Sequence, residues 1–216
     1  TQELAVFLHQ MMEKGEIPSV PVYVDSPLAV NASQIFNEHP ECMDVETIAD
    51  IRAHGHAALD FKEITYTRSV AESKAINEYQ GSAIIISASG MAEAGRILHH
   101  LFHRLQNERE TLMIVGYQAL GTRGRKILEG EKFVKMFGQL IPVKCHVEEV
   151  HGLSAHADQQ ELHAWLEAFE EKPKMTFVIH GEQNSAEAMK EWIQRDFGWN
   201  VTVPEYLENV ELFQSI

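Results

Sequence analysis

The sequence predicts an α/β fold built on a doubly wound, mostly parallel sheet. Three short apolar segments support this, and each follows a helical pattern and ends in Asp, Ser or Gly: residues 22–24, 83–86 and 112–115. Short, continuous apolar runs are typical of parallel strands that are buried on both faces. Ligands of such sheets bind beyond the carboxyl ends of the strands, so we expect Asp25, Ser87 and Gly116 to share one edge.

Helical patterns separate the predicted strands. The chain opens with apolar residues at helical spacing, Leu4, Phe7, Leu8 and Met11, and further helices are predicted over residues 28–37, 45–60, 69–79 and 91–107. Ser69 and Glu72 have the spacing of a capping box at the start of the third of these. Asp25 is expected to cap the helix that Pro27 begins. Ser89 is a candidate cap for the helix over residues 91–107.

A change of composition divides the chain near its middle. Residues 116–130 are rich in glycine and basic side chains, and we place a boundary here between two domains, residues 1–118 and residues 119–216. Beyond it the pattern predicts a strand over 143–150, a helix over 158–170, a strand over 175–180, a helix over 185–197 and a strand near 201–203. The second part therefore continues the alternation of strands and helices.

Composition indicates a folded protein and confines any nucleic-acid contact to a local surface. The chain has 216 residues, 44% of them hydrophobic, and a net charge of −14. Since Lys and Arg supply most non-specific affinity for phosphate backbones, this charge excludes a general basic binding surface. Basic residues do concentrate in the middle third, where they form either a local basic strip or ordinary solvated charges: Arg96, Arg104, Arg109, Arg123, Arg125 and Lys126.

Export and membrane insertion have no visible signal. The apolar runs reach only four or five residues, far short of a membrane span, and the first helix carries Glu3, Glu13 and Glu16 where a signal peptide has a basic start. Cys42 and Cys145 are too few for a disulfide framework. We therefore expect a cytoplasmic protein without a membrane partner.

Two histidines stand at the ends of predicted strands, where a scaffold can aim side chains into a cleft. His156 lies in the loop before the helix over 158–170, with Ser154 ahead of it and Asp158 as the expected N-cap. Such a loop precedes the positive end of a helix, which favours an anion such as phosphate. His180 closes an apolar strand. A single histidine so placed is more often a structural hydrogen-bonding residue than a ligand or an acid, so spacing alone leaves both roles open.

Five segments of the chain carry motifs that occur together in one known family. Two contain the histidines, Ser154-Ala-His-Ala-Asp158 and His180-Gly-Glu182, and the other three are residues 24–29, 87–96 and 116–124. Taken in their order along the chain, the five segments resemble those of the β-CASP branch of the metallo-β-lactamase superfamily, the nucleic-acid-processing nucleases. The resemblance implies a β-CASP sheet followed by the carboxy-terminal part of a metallo-β-lactamase αββα sandwich. Residues 116–124 lack the Gly-Lys-Ser/Thr of a P-loop, so nucleotide hydrolysis is not expected.

The resemblance also assigns roles to individual residues. It implies a two-zinc centre that hydrolyses phosphodiester bonds, with His180 as a ligand of one zinc ion. It puts His156 beside the scissile phosphate, as proton donor to the leaving oxygen or as a stabiliser of the transition state. Ser154 would donate to a phosphate oxygen, with simple turn chemistry as the alternative. Further substrate-binding residues are implied, with a tight strand-to-helix turn as the alternative for the first three: Ser87, Ser89, Gly90 and Arg96.

The same comparison shows which parts of the family site are absent. The chain lacks the upstream His-x-His-x-Asp-His motif, and neither His54 with His56 nor His99 with His103 has the acid or the third ligand that a zinc site needs. We therefore expect the carboxy-terminal half of such a protein, beginning with Thr1 inside the β-CASP insertion. Alone, this half is expected to hold no zinc and to cleave no RNA.

Two functions stay open at this point. The first is a zinc-dependent ribonuclease that hydrolyses RNA phosphodiesters by a two-metal mechanism, related to the cleavage factor that trims messenger RNA 3′ ends. RNA is preferred to DNA as the partner because the segments around Gly116 and Ser154 resemble the RNA-processing members most. The alternative is a non-catalytic scaffold or RNA-binding subunit, because the family contains members that lost their ligands. A homodimer is compatible with either function.

Overall fold

The computed structural model describes residues 1–54, 59–154 and 156–212, with the side chains of residues 50–54 outside the description. The chain divides into two compact units, Thr1–Ser154 and Ala155–Ile216. Within the described residues, the first unit contains two clusters of buried apolar side chains and the second unit contains one. None of the described helices is long and apolar enough to cross a membrane.

The amino-terminal sheet is centred on strand β1 (Val22–Asp25). Strands β2 (Ile64–Tyr66) and β3 (Ile84–Ser87) flank β1, and both pairings are parallel. Val22 and Val24 are fully buried, as expected for the central strand of a parallel sheet. The helices of this region are α1 (Gln2–Glu13), α2 (Pro27–Glu38), α3 (Val45–His54) and α4 (Val70–Glu78).

The register of this sheet agrees with part of the predicted edge. Asp25 lies opposite Ser87 at the carboxyl ends of β1 and β3. The capping box of α4 is confirmed, since Ser69 Oγ accepts from the Glu72 N–H and the Glu72 carboxylate accepts from the Ser69 N–H. Strand β2 was not predicted, because three residues are too few to display a strand pattern. The helix predicted over 45–60 is observed over Val45–His54 as α3; residues 55–58 lie outside the described part of the chain, and residues 59–60 are not helical.

The rest of the first unit is organised around a second parallel pair. Strand β4 (Thr111–Ile114) pairs with β7 (His146–Glu149), with helix α6 (Arg123–Leu128) and the antiparallel hairpin of β5 (Phe133–Met136) and β6 (Gln139–Pro142) between them in sequence. The prediction that residues 112–115 extend the sheet of β1 is therefore wrong, because in the described chain β4 hydrogen-bonds to β7 instead. An apolar run predicts a buried strand but carries no information about the strand it pairs with.

Helix α5 (Ile97–Arg104) is shorter than the helix predicted over residues 91–107. The residues before it form turns instead, and Ala88 O accepts the N–H of Ile97. Gly95 makes this possible because it adopts a φ of +81°, and a β-carbon there would lie 2.5 Å from Ala88 O. Glycine is the residue that tolerates both this backbone and this close approach.

The second unit contains α7 (Gln159–Glu167), β8 (Thr176–Phe177), α8 (Gln183–Phe197) and β9 (Val201–Thr202). Strands β8 and β9 pair in parallel. Leu166 from α7 packs with Trp192 and Ile193 from α8 in the buried cluster of this unit. The predicted cap is confirmed, because the Asp158 carboxylate accepts the N–H groups of Gln160 and Glu161 at the start of α7.

Parallel pairing predominates in the described strands. The pairs β1–β2, β1–β3, β4–β7 and β8–β9 are parallel, and the β5–β6 hairpin is antiparallel. The α/β class predicted from the sequence is therefore confirmed. The boundary predicted after residue 118 falls inside the first compact unit, where the β4–β7 pairing joins residues on both sides of it. As a boundary between two domains it stays a prediction.

Candidate functional site

A buried carboxylate organises the carboxyl ends of the first three strands. Asp25 is completely buried at the end of β1. Its Oδ1 accepts hydrogen bonds from Arg96 Nη1 at 2.6 Å and from Thr67 Oγ1. Its Oδ2 accepts from Ser73 Oγ at 2.6 Å and from His100 Nε2 at 2.7 Å. Four donors, two from the segment between β2 and β3 and two from the segment between β3 and β4, therefore converge on one side chain.

The hydrogen bonds decide the charge of this carboxylate. Burial alone would raise the pKa of Asp25, but the donors Ser73, Thr67, His100 and Arg96 together hold the pKa below its ordinary value. Burial also lowers the pKa of His100, and this effect exceeds the opposing influence of Asp25. The ionised carboxylate is thus compensated by the Arg96 guanidinium and by neutral donors, as a buried charge requires.

The same network ties β2 and β3 to β1. Arg96 also donates to the carbonyl oxygens of Thr67 at 3.3 Å and Arg68 at 2.7 Å, both of which follow β2. Ser87 Oγ donates to the Asp25 carbonyl at 2.9 Å. The expectation that Asp25 caps α2 is wrong: the N-cap is Ser26, whose Oγ accepts from the backbone N–H of Ala29. The Asp25 carboxylate does not cap α2 because both of its oxygens accept hydrogen bonds from the four donors of the network.

The loop between β3 and α5 is held from a second side by residues 116–124. Gln118 is almost fully buried, and its Nε2 donates to the carbonyl oxygen of Gly90 at 2.8 Å. The N–H of Gly124 donates to Met91 O at 3.0 Å. A β-carbon on Gly124 would lie 1.7 Å from Gln118 Oε1, so a larger residue would force the Gln118 side chain to move. Two segments that the sequence singled out separately therefore contact each other.

Arg123 extends this contact to the β5–β6 hairpin. Its Nη1 donates to the carbonyl oxygen of Ala92, and its Nε donates to Lys135 O at 3.0 Å. Its guanidinium also lies 3.6 Å from the Glu93 carboxylate. The Ser87–Arg96 loop, defined as residues 87–96, is consequently anchored by the Asp25 network at its ends and by Gln118, Arg123 and Gly124 along its length.

Several predicted substrate-binding residues have partners inside the fold. Ser87 donates to the Asp25 carbonyl, and the Arg96 guanidinium contacts Asp25 and two carbonyl oxygens. Ser89 Oγ accepts from the Ala94 N–H at 3.4 Å, so Ser89 stabilises the loop and does not cap α5, whose N-cap is Arg96. Gly90 is exposed. Substrate binding by these residues stays a prediction, and the contacts assign Arg96 to positioning of the loop.

The late histidines lie at the edges of secondary structure, as their spacing indicates. His156 is exposed and precedes α7, and Ser154 is the last residue of the first unit. His180 is exposed, follows β8 and has a left-handed backbone with φ +69°. Among the described residues, no three His, Cys, Asp or Glu side chains come together in a way that could hold a metal ion. The catalytic and metal-binding roles of His156 and His180 stay predictions.

Sequence reasoning missed four buried polar residues that shape this region: Thr67, Ser73, His100 and Gln118. Asp25 itself indicates that such donors must exist, because a carboxylate that ends an apolar strand needs hydrogen-bond donors when it is buried. The donors could not be identified from local pattern, since Thr67, Ser73 and His100 lie 42, 48 and 75 residues further along the chain.

Comparison with known proteins places this architecture in a family. A family model described as the Beta-Casp domain matches residues 1–127, and one described as a Zn-dependent metallo-hydrolase RNA specificity domain matches residues 140–204.

The chain is 32% identical over 176 residues to Ribonuclease TTHA0252 of Thermus thermophilus, covering 80% of this chain and 39% of that protein. It is 25% identical over 217 residues to the transcription termination factor FttA of Cenarchaeum symbiosum, covering 98% of this chain and 34% of that protein. FttA of Methanosarcina mazei is 28% identical over 190 residues, covering 86% of this chain and 30% of that protein. The chain thus spans between 30% and 39% of the length of these relatives, and it belongs to the β-CASP family of metallo-β-lactamase proteins.

Proposed function

We propose that this chain is the carboxy-terminal part of a zinc-dependent ribonuclease that hydrolyses RNA phosphodiester bonds by a two-metal mechanism. The observation that carries the proposal is the position of two exposed histidines, His156 and His180, within the segment that matches the RNA specificity domain. The names of the relatives, a ribonuclease and transcription termination factors, support it. Because the chain covers 39% or less of these relatives, the activity is proposed for the longer protein.

The two histidines receive different roles in this proposal. His180 follows β8 and would supply one imidazole nitrogen, a donor that zinc accepts readily. His156 precedes α7, whose amino-terminal end favours a phosphate anion, and would donate a proton to the leaving oxygen. Ser154 would donate a hydrogen bond to a phosphate oxygen of the substrate. The two histidines therefore differ in whether their loss removes a metal ligand or a proton donor.

Zinc fits this chain only in part. The described residues provide no group of three or more metal-binding side chains, so His180 would complete a site whose other ligands lie outside the described residues. When bound, zinc supplies Lewis acidity to the water and to the phosphate. The chain's own contribution is the imidazole of His180, the proton of His156 and the positioning of the substrate.

The Ser87–Arg96 loop is the second element of the proposal. Its backbone is fixed by contacts on two sides, through Arg96 to Asp25 and through Gln118 to Gly90 O. Small residues in the loop allow close approach of a phosphate to backbone N–H groups. We assign Ser87, Ser89 and Gly90 to the contact with the RNA backbone, and Arg96 to holding the loop in place.

The test uses the longest natural protein that contains this chain. The purified protein is incubated with a single-stranded RNA labelled at its 5′ end, before and after treatment with a chelator, and its zinc content is measured by mass spectrometry. We expect cleavage that the chelator abolishes and added zinc restores. A protein that binds the RNA but never cleaves it, with or without zinc, would contradict the proposal and identify a non-catalytic RNA-binding subunit.

A further inference from the structure

The β5–β6 hairpin has one face in the core and one face exposed. Val134 and Met136 belong to a buried apolar cluster, whereas the alternate residues Phe133 and Lys135 are exposed. Phe137 follows β5 in the turn of the hairpin. Phe137 keeps 54% of its surface accessible. The buried face accounts for the packing of the hairpin, but not for the exposure of the aromatic residues Phe133 and Phe137.

Other aromatic side chains fix the ring of Phe137. It stacks on the imidazole of His99, with ring centroids 5.0 Å apart and planes inclined by 26°. The ring centroids of Phe102 and Phe137 lie 5.5 Å apart with planes inclined by 67°, and Phe102 itself packs against the buried cluster. Phe137 also adopts a left-handed backbone with φ +48°, which is costly for a residue other than glycine. A half-exposed ring is therefore held in one orientation.

The sequence around this ring is basic in an acidic chain. Residues 122–144 carry six basic and two acidic side chains, a net charge of +4, whereas the whole chain carries −14. Arg123 and Arg125 are paired with Glu93 and Glu129. Lys132 and Lys135 are exposed, and neither has an ion-pair partner among the described residues. A polyanion is the ligand that this local charge favours.

The exposed face is continuous with the Ser87–Arg96 loop. Arg123 joins the two directly, because it donates to Ala92 O in the loop and to Lys135 O in β5. His99 lies in the first turn of α5, immediately after the loop. A strand of RNA that contacts the loop would therefore reach Phe137 without leaving this surface.

We propose that Phe137, stacked on His99 and two residues after the exposed Lys135, binds one unpaired base of single-stranded RNA beside the Ser87–Arg96 loop. The inference rests on the proposed function in taking RNA as the ligand. An exposed, fixed aromatic ring offers a stacking surface that accepts any base, and a neighbouring lysine contacts the phosphate. Bases inside a duplex have no free face, so the site selects single strands. This places base recognition outside residues 140–204, the segment matched by the RNA specificity domain.

The test measures binding of a fluorescein-labelled oligouridylate to the 216-residue chain by fluorescence anisotropy. Phe137→Asn removes the ring while suiting the left-handed backbone, and it is expected to weaken binding on the order of 10-fold. Phe137→Trp should retain the wild-type affinity. The matched control is Phe36→Ala, which removes a 46% exposed ring from α2 and should leave the RNA affinity unchanged. Circular dichroism confirms that each variant is folded.

A second variant separates charge from stacking. Lys135→Ala should lower the slope of log affinity against log salt concentration by about 0.7, the value for one phosphate contact on a single strand. The Phe137 variants should leave this slope unchanged. A duplex of the same length should compete at least several-fold less well than the single strand.

Three results would overturn the inference. They are wild-type affinity in Phe137→Asn, equal competition by the duplex, and no RNA binding by the wild-type chain. A change in sedimentation of Phe137→Asn with unchanged RNA affinity would instead identify the face as an interface between copies of the chain, and would also overturn it. Cleavage by the longer protein is measured separately, so loss of the stacking site and loss of the ribonuclease proposal can be told apart.

Discussion

The imidazole Nε2 of His100 donates to Oδ2 of Asp25 across 2.7 Å, and the two side chains are 3% and 0% exposed. The bond joins α5 to the end of β1 across 75 residues of sequence. Together with Arg96, Thr67 and Ser73, it fixes the segment from which the Ser87–Arg96 loop projects. Stability of the sheet and position of the loop therefore depend on the same carboxylate.

Replacing Asp25 by Ala should strongly destabilise the chain. The change leaves the Arg96 guanidinium and three further donors without their acceptor, and breaking a buried pair in this way costs about 3–5 kcal/mol. Urea unfolding followed by circular dichroism measures the loss. Asp44→Ala is the control, because Asp44 is an exposed residue whose carboxylate accepts from the nearby Thr47 N–H, and the loss of stability should be much smaller. Equal effects of the two substitutions would refute the central role of Asp25.

Acidification should destabilise the chain through His100. Burial, with smaller contributions from Arg104 and His99, lowers the pKa of His100 in the folded state despite the opposing effect of Asp25. As pH falls below about 6.5, the unfolded chain binds a proton that the folded chain does not, so stability decreases until the folded pKa is reached. The lowered pKa of Asp25 adds its own loss of stability only at more acidic pH, below about 3.9.

The measurement for His100 compares the free energy of unfolding at about pH 7.5 and about pH 5 in wild type and in His100→Gln. The wild-type chain should lose stability between these values, and His100→Gln should lose less. A wild-type chain that gains stability on acidification would show that the pair with Asp25 favours the charged imidazole, and it would contradict a lowered pKa of His100.

Gly124→Ala should distort the Ser87–Arg96 loop. Alanine favours a helix such as α6, but its β-carbon would lie 1.7 Å from Gln118 Oε1, and overpacking of this kind costs about 1–3 kcal/mol. Gly116→Ala is the matched control, since a β-carbon there meets nothing within 4 Å. In a Gln118→Ala background, Gly124→Ala should lower the free energy of unfolding by clearly less than it does in the wild-type chain. An unchanged cost in that background would exclude the contact with Gln118 as the cause.

Local pattern predicted the elements of this fold better than their partners. Val22 and Val24 lie in an apolar run, and the run is the centre of a parallel sheet as expected. The run around Leu112 was equally recognisable, yet it pairs with β7, because strand pairing is decided by contacts between distant segments. The β5–β6 hairpin was not predicted. Its turn uses Phe137 and Gly138 with positive φ, and phenylalanine is not a residue that predicts such a turn.

The candidate site shows the same division between local and distant information. The loop position of His156, the end-of-strand position of His180 and the Asp158 cap follow from neighbouring residues, and the structure has them as predicted. The anchoring of the Ser87–Arg96 loop by Gln118 does not, because the two segments are 28 residues apart at that contact. Both segments belong to the motifs that resemble the family, but the motifs do not indicate that the two segments touch.

The isolated chain should retain no stoichiometric zinc after dialysis and should not cleave RNA. The described residues hold no group of three or more metal-binding side chains, and one imidazole cannot hold zinc against water. Elemental mass spectrometry and a cleavage assay with labelled RNA measure the two properties. Zinc bound tightly by the pure chain, and lost in His180→Ala, would show that the metal site is complete within this chain.

The most direct measurement compares His156→Ala and His180→Ala in the longer protein, with zinc content and RNA-cleavage kinetics determined for each. His180→Ala should lower both the zinc content and the activity, because a metal position loses a ligand. His156→Ala should keep the zinc content of the wild type while turnover falls on the order of 10²–10⁴-fold, as expected for loss of a general acid. Zinc loss in His156→Ala with full zinc in His180→Ala would invert the assignment, and unchanged cleavage in both variants would contradict the proposed function.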